Sequence, residues 1–326
     1  MTKHLKTAIN YFLGPLLLIL LSWTLYQQIL NKQQLAEQWQ QIVTSFTAAK
    51  LWLVVGMMLL NWSIEAKKWQ LLVKHLQQFT FYRAVKSVLS GCSVSMLTPN
   101  RVGEFAGRVI HLKEGNRIAG ISLTIVGGIS QLLVTLLMGC IGLFYLQYYS
   151  QTQHTTNNVL PVFWEKIITS LSVGITILLA LFYLRIAWLV SMMEKVPALQ
   201  KVVKHIRILD EFNNTQLLQI LSLSLLRYCI FITQYILLLQ VMQVHIEPLL
   251  CFWLLSIFYL VIAVVPTFGF IELPVRASAS YAILKLFTPN VLGVGAAAMG
   301  IWLINLVIPA VIGSLLILRF KMLKEK

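Results

Sequence analysis

The chain has 326 residues, of which 58% are hydrophobic and 11% charged, with a formal net charge of +15. Too little polar surface remains to cover a water-soluble body, so the composition indicates an integral membrane protein. The excess of Lys and Arg falls between apolar stretches and carries none of the aromatic-basic patterns of nucleic-acid binders, which excludes nucleic acid as a partner.

In chain order, Lys3 and Lys6 precede an apolar run from Tyr11 to Tyr26. No small-residue cleavage pattern follows it, so it reads as an uncleaved first span. A membrane helix needs roughly 20 apolar residues, and six segments qualify as full spans: 10–30, 51–73, 118–148, 163–190, 217–242 and 291–318. Two further apolar regions, 81–112 and 249–287, are broken near their middles by Pro99 with Gly103 and by Pro266 with Gly269. The expected fold is therefore an all-α polytopic membrane protein with about six full transmembrane helices and two broken re-entrant hairpins. Two short crossing helices in each broken region, about ten spans in all, are the alternative.

Basic residues give the direction of the chain. Lys67, Lys68, Lys74, Arg83 and Lys86 flank the start of the first broken region, and Lys113 and Arg117 follow it. Both its ends therefore face the cytoplasm. Connections 147–161 and 243–248 contain no Lys or Arg, whereas Arg185, Lys195, Lys201, Lys204, Arg207 and Arg319 mark cytoplasmic ends. The second broken region then starts and finishes outside. The result is one membrane domain, 1–326, made of two halves (about 1–150 and 160–326) in an inverted repeat, an architecture that places binding sites near the midplane. Between the halves, 194–212 has apolar residues at helical spacing with Lys201, Lys204, His205 and Arg207 opposite. It reads as an interfacial helix or as a linker.

Chemistry concentrates in the breaks. Glu104 and Arg108 in the first, and Glu272 and Arg276 in the second, form Glu-x-x-x-Arg, which sets acid and base one turn apart on a helix face. A charge at mid-helix costs about 2.5–3.5 kcal/mol on insertion scales. Two such pairs therefore point either to internal ion pairs that fix the hairpins or to a positively biased cavity, in which Arg101, Arg108 and Arg276 would grip a phosphate or carboxylate. Arg101 has no obvious local acid, and Gly103 and Gly107 suit close helix approach. Arg227 lies too deep in its span to snorkel, so Glu272 or a ligand anion is its expected partner. Asn61, Gln131 and Gln234 are further polar groups at membrane depth, while Glu65, near Lys68 and Trp69, reads as the cytoplasmic end of the second span. Trp23, Trp52 and Trp302 read as interfacial anchors or core.

Catalytic signals are lacking. Asp210 is the single aspartate, the six histidines are scattered, no Gly-rich nucleotide loop occurs, and Cys92, Cys140, Cys229 and Cys251 show no CxxC spacing. No metal, cofactor or disulfide framework is expected.

The stretches SVLSGCSVSMLTPNRVGEFAGRVIHL and VVPTFGFIELPVRASASYAIL resemble the two signatures of the lysylphosphatidylglycerol synthase transmembrane family, and the span pattern resembles that family over essentially the whole chain. By this resemblance Arg101, Glu104, Arg108, Glu272 and Arg276 fall at signature polar positions. The resemblance implies translocation of a lipid between leaflets in a bacterial inner membrane, with both termini cytoplasmic. Two departures are visible. Phe268-Gly269-Phe270 stands where Gly-Gly-x-Gly is common, and the aminoacyl-transfer domain of full synthases is not among these residues, so no aminoacylation is carried over. DedA-like proteins, which also use inverted hairpins with acid and arginine, are the structural runner-up.

The expected activity is flipping of a phospholipid or other anionic or aminoacylated amphiphile, without covalent chemistry, with Arg101, Glu104, Arg108, Arg227, Glu272 and Arg276 binding the headgroup. The alternative is a membrane enzyme or accessory protein acting on polyprenyl-phosphate or phospholipid headgroups, with Glu104 or Glu272 as general base. Membrane lipids are the expected partners, and a homo-oligomer is compatible with either reading.

Overall fold

A computed structural model of the protein describes residues 49–96, 98, 101–152, 162–194, 206–265 and 272–324. The expected first span, Pro99, Asn100, the 266–271 break and most of the amphipathic stretch 194–212 lie outside the described residues.

Every regular element described is helical: α1 (Ala49–Val73), α2 (Phe81–Met96), α3 (Gly103–Val109), α4 (Arg117–Thr152), α5 (Val162–Leu184), α6 (Ile186–Glu194), α7 (Asn214–Val241), α8 (Pro248–Val264), α9 (Glu272–Leu284), α10 (Val291–Trp302) and α11 (Ile308–Lys324). Five stretches are long and apolar enough to cross a membrane: Ala49–Val73, Glu114–Thr152, Lys166–Leu184, Asn214–Val241 and Val291–Ile317. They coincide with five of the expected spans, with one difference. The span expected at 163–190 is divided at Arg185, where α5 ends and α6 begins.

Local chemistry fixes several boundaries. Asn213 caps α7 in a reciprocal box: its side chain accepts from the Gln216 N–H at 2.8 Å, and the Gln216 side chain accepts from the Asn213 N–H at 3.2 Å. Pro248 opens α8 at a position where a missing N–H costs nothing. Asn290 caps α10 by accepting from the Gly293 N–H at 2.8 Å. Between α10 and α11 the helix loosens into a π turn, Leu303–Val307. Pro309 follows and has no N–H to offer the carbonyl of Asn305, which relaxes the regular ladder there.

The first broken region is an antiparallel hairpin. Ser87 Oγ donates to the Arg108 carbonyl at 2.6 Å, and a Cβ on Gly107 would lie 2.5 Å from the Ser90 carbonyl and 2.7 Å from Gly91 Cα. Only glycine permits α2 and α3 to approach this closely. With 16 and 7 residues, α2 and α3 are about 24 and 10 Å long at 1.5 Å per residue. Neither reaches through a hydrocarbon core of about 30 Å, which favours a re-entrant hairpin over two crossing helices. The arms of the second region, α8 and α9, have 17 and 13 residues and are likewise short of a full crossing.

Two large apolar clusters hold the helices together. Tyr235, Leu238, Phe258 and Val294 centre one, around α7, α8 and α10. Trp69, Leu72, Leu123 and Leu217 centre the other, around α1, α4 and α7. Elsewhere large apolar side chains face outward at helical spacing, as Leu171, Ile175, Leu178 and Phe182 do on α5. This suits a surface whose solvent is lipid. The fold is that of an all-α polytopic membrane protein.

Candidate functional site

The site begins on α1, where Asn61, Glu65, Lys68 and Trp69 share a face by helical spacing and are all buried. Glu65 is its hub. One carboxylate oxygen accepts from Arg108 Nη2 at 2.6 Å, and the other from Lys68 Nζ and Arg227 Nη1, both at 2.8 Å. Arg108 also pairs with Glu104 one turn back along α3. The guanidiniums lie over indole rings, Arg108 at 5.6 Å from the Trp69 centroid and Arg227 at 5.7 Å from that of Trp62. Within this cluster each buried charge faces an opposite one, which is the condition for tolerating them out of water.

The surroundings of Glu65 and of Arg227 are set by other helices. Glu65 and Lys68, read as the end of a span, have side chains only 3% and 2% exposed, because each neutralises the other and the arginines complete the set. Arg227 finds Glu65 and not Glu272, because α7 packs along α1 and turns Arg227 toward it, while the Glu272 carboxylate is already taken by Arg276. The Glu272–Arg276 pair itself stands one turn apart, with contacts of 2.8 and 2.6 Å, as the Glu-x-x-x-Arg spacing predicts.

A polar ladder extends from Arg227 through the helix interfaces. Arg227 Nε donates to Asn61 Oδ1 at 2.8 Å, Asn61 Nδ2 to Asn305 Oδ1 at 3.4 Å, Asn305 Nδ2 to Gln234 Oε1 at 3.0 Å, and Gln234 Nε2 to the Val54 carbonyl at 2.8 Å. Asn305 escaped the sequence reading. Its signal was an amide in mid-span four residues before a proline, where the π turn now points it inward. Lys68 is tied to the neighbouring helices by the Gly127 carbonyl and Ser224 Oγ, each at 3.4 Å.

Beside this cluster is a cavity of about 290 Å³, with Arg101, Arg227, Glu272, Arg276, Trp62 and Asn305 among its lining residues. Of the sequence-derived candidates, Arg101, Arg227, Glu272 and Arg276 reach the wall, whereas Glu104 and Arg108 stand behind it in the ion-pair cluster. Arg101 has a left-handed backbone, φ 59°, unusual for a side chain of this size. Among the described residues no carboxylate oxygen lies within ion-pair distance of it, and its Nε is buried without a hydrogen-bond partner. The indole N–H groups of Trp62 and Trp302 and the hydroxyl of Tyr259, on residues that line the cavity, are also buried and, among the described residues, without a hydrogen-bond partner. A buried donor left unmatched costs about 1–3 kcal/mol.

Across the cluster and the wall, five cations (Lys68, Arg101, Arg108, Arg227, Arg276) stand against three carboxylates (Glu65, Glu104, Glu272). No group of three or more residues able to hold a metal ion occurs among the described residues.

Residues 11–313 match the family model described as the lysylphosphatidylglycerol synthase TM region. No curated protein and no solved structure matches the chain. Since the match runs through nearly all of the sequence, including both hairpins and the Glu65 hub, the chain belongs to the family defined by the lysylphosphatidylglycerol synthase TM region.

Proposed function

We propose that the protein moves a phospholipid or other anionic or aminoacylated amphiphile between membrane leaflets, holding the polar headgroup in the cavity while the hydrocarbon tails stay in the bilayer. The observation that carries this reading is Arg101, which has no carboxylate within ion-pair distance among the described residues and stands on a wall it shares with Arg227 and Arg276. A purely structural charge would be paired, and an apolar side chain would hold the fold with less desolvation. The cavity, with the liquid volume of roughly ten waters, suits a headgroup and not a whole lipid. Family membership supports a membrane-lipid role.

On this reading the protein is a single transport domain of the bacterial inner membrane with both termini cytoplasmic and with no covalent step. The two hairpins belong to inverted halves that rock alternately about the cavity. The test is reconstitution of the whole chain in vesicles with a fluorescent phospholipid. Leaflet exchange should exceed that of protein-free vesicles and should fall at least about tenfold in Arg101→Gln or Arg276→Ala, the loss expected when a charge-assisted hydrogen bond of about 1.5–3 kcal/mol is removed. Exchange at the wild-type rate in both folded variants refutes the role of these residues. A covalently altered lipid in the mass spectrum would instead reveal an enzyme.

A further inference from the structure

We propose that this cavity selects amphiphiles that end in a phosphomonoester over phosphodiester and cationic headgroups. The inference rests on the translocation reading only in concerning the same cavity.

The charge distribution separates into two parts. Behind the wall, Glu65 and Glu104 balance Lys68 and Arg108, linked by short ion pairs. On the wall stand Arg101, Arg227 and Arg276 with one carboxylate, Glu272; Glu272 is bound to Arg276, and Arg227 reaches back to Glu65 at 2.8 Å. Over the two parts together the described residues carry a surplus of two positive charges, with three of the five cations on the cavity wall. An isolated charge held away from water is costly until it is neutralised.

Hydrogen-bonding capacity is biased in the same direction. Arg101, Trp62, Trp302 and Tyr259 line the cavity, and Arg101 Nε, the two indole N–H groups and the Tyr259 hydroxyl are buried with no hydrogen-bond partner among the described residues. Three of the wall's acceptor atoms are already engaged: Asn61 Oδ1 by Arg227, Asn305 Oδ1 by Asn61, and Glu272 Oε1 by Arg276. The complementary ligand carries about two negative charges, several acceptor oxygens and no ammonium group. A phosphomonoester at neutral pH has roughly −1.5 to −2 charges and three acceptor oxygens. A phosphodiester supplies a single negative charge, and a lysylated headgroup brings ammonium groups against three guanidiniums. Phosphatidate and a polyprenyl monophosphate share the favoured terminus and differ in their tails.

The experiment uses the full chain in phosphatidylcholine vesicles with trace phosphatidate, phosphatidylglycerol or lysyl-phosphatidylglycerol, each labelled on an acyl chain, and with a labelled polyprenyl monophosphate. Headgroup binding is read in parallel from tryptophan fluorescence with short-chain lipids, since Trp62 and Trp302 stand on the wall. At pH 7.5 the monoesters should exchange and bind at least about tenfold better than phosphatidylglycerol, with the lysylated lipid weakest. The advantage should shrink as pH falls through the second phosphate ionisation near ~6, while the phosphodiester stays flat. Arg101→Gln should reduce the preference by lowering the surplus to a single charge. The pH profile of the unmodified protein makes the test independent of whether that variant folds.

Equal or reversed preference, or a monoester advantage that ignores pH, overturns the headgroup assignment even where exchange is rapid. Selective monoester binding without exchange supports the assignment and removes translocation. Neither binding preference nor exchange removes both. If both monoesters outrun phosphatidylglycerol, the assignment stands and the faster of them identifies the tail.

Discussion

Neutralising Glu65 tests the hub directly. In Glu65→Gln, the 2.6 Å contact to Arg108 and the 2.8 Å contacts to Lys68 and Arg227 lose their charge. Lys68 and Arg108, whose side chains are 2% and 4% exposed, would then share only Glu104 as a counter-charge. Removing one partner of a buried pair costs about 3–5 kcal/mol. Arg227 is discounted because its side chain is 23% exposed and can draw on cavity water. The three contacts form one network, so their losses do not add. The expected destabilisation is about 3–5 kcal/mol, or a melting temperature lower by roughly 5–10 °C at about 2 °C per kcal/mol. It would be read by thermal unfolding of the purified protein in detergent. Glu114→Gln is the control, because its side chain is 84% exposed and its Arg117 contact is 3.8 Å, which leaves under about 0.5 kcal/mol. Adding Lys68→Met to Glu65→Gln should recover part of the loss by removing one stranded cation. If Glu65→Gln melts within about 1 °C of the parent protein, the ion-pair hub is not what holds these helices together.

Other perturbations address the hairpin, the ladder and the wall. Gly107→Val should lower stability by about 1–3 kcal/mol or more, since even its Cβ would press on the Ser90 carbonyl at 2.5 Å, and the same melt reads it. Asn305→Leu should cost about 1–3 kcal/mol because it leaves Gln234 Oε1 without its 3.0 Å donor, and Gln234→Leu added to it should cost less than the two single changes together. Tyr259→Phe removes a buried hydroxyl that has no partner, so stability should stay level or rise by up to about 1 kcal/mol, while lipid exchange falls if the hydroxyl touches the headgroup.

The long spans and the local ion pairs were legible because each depends on neighbours in sequence. Hydrophobic length alone separates a crossing helix from a short one, so the extents of α1, α4, α7 and the α10–α11 helix follow from composition. Glu104–Arg108 and Glu272–Arg276 follow from the 3.6-residue period, which brings positions four apart together in any helix. A glycine where two arms must touch is legible in the same way, at Gly103 and Gly107.

Which charge meets which across helices was decided only by the tertiary structure. Glu65 reads on paper as the polar end of a span, and nothing near it in sequence announces Arg108, 43 positions away, or Arg227, 162 positions away. The ladder through Asn61, Asn305 and Gln234 likewise joins residues from three helices. Sequence alone determined that charges are retained at membrane depth, because desolvation penalises each of them wherever the helix points. Whether a charge is then cancelled, as at Glu65, or left facing a cavity, as at Arg101, depends on how the helices rotate and pack against one another. Pairing energy falls off over a few ångströms, and only the assembled fold sets distances on that scale.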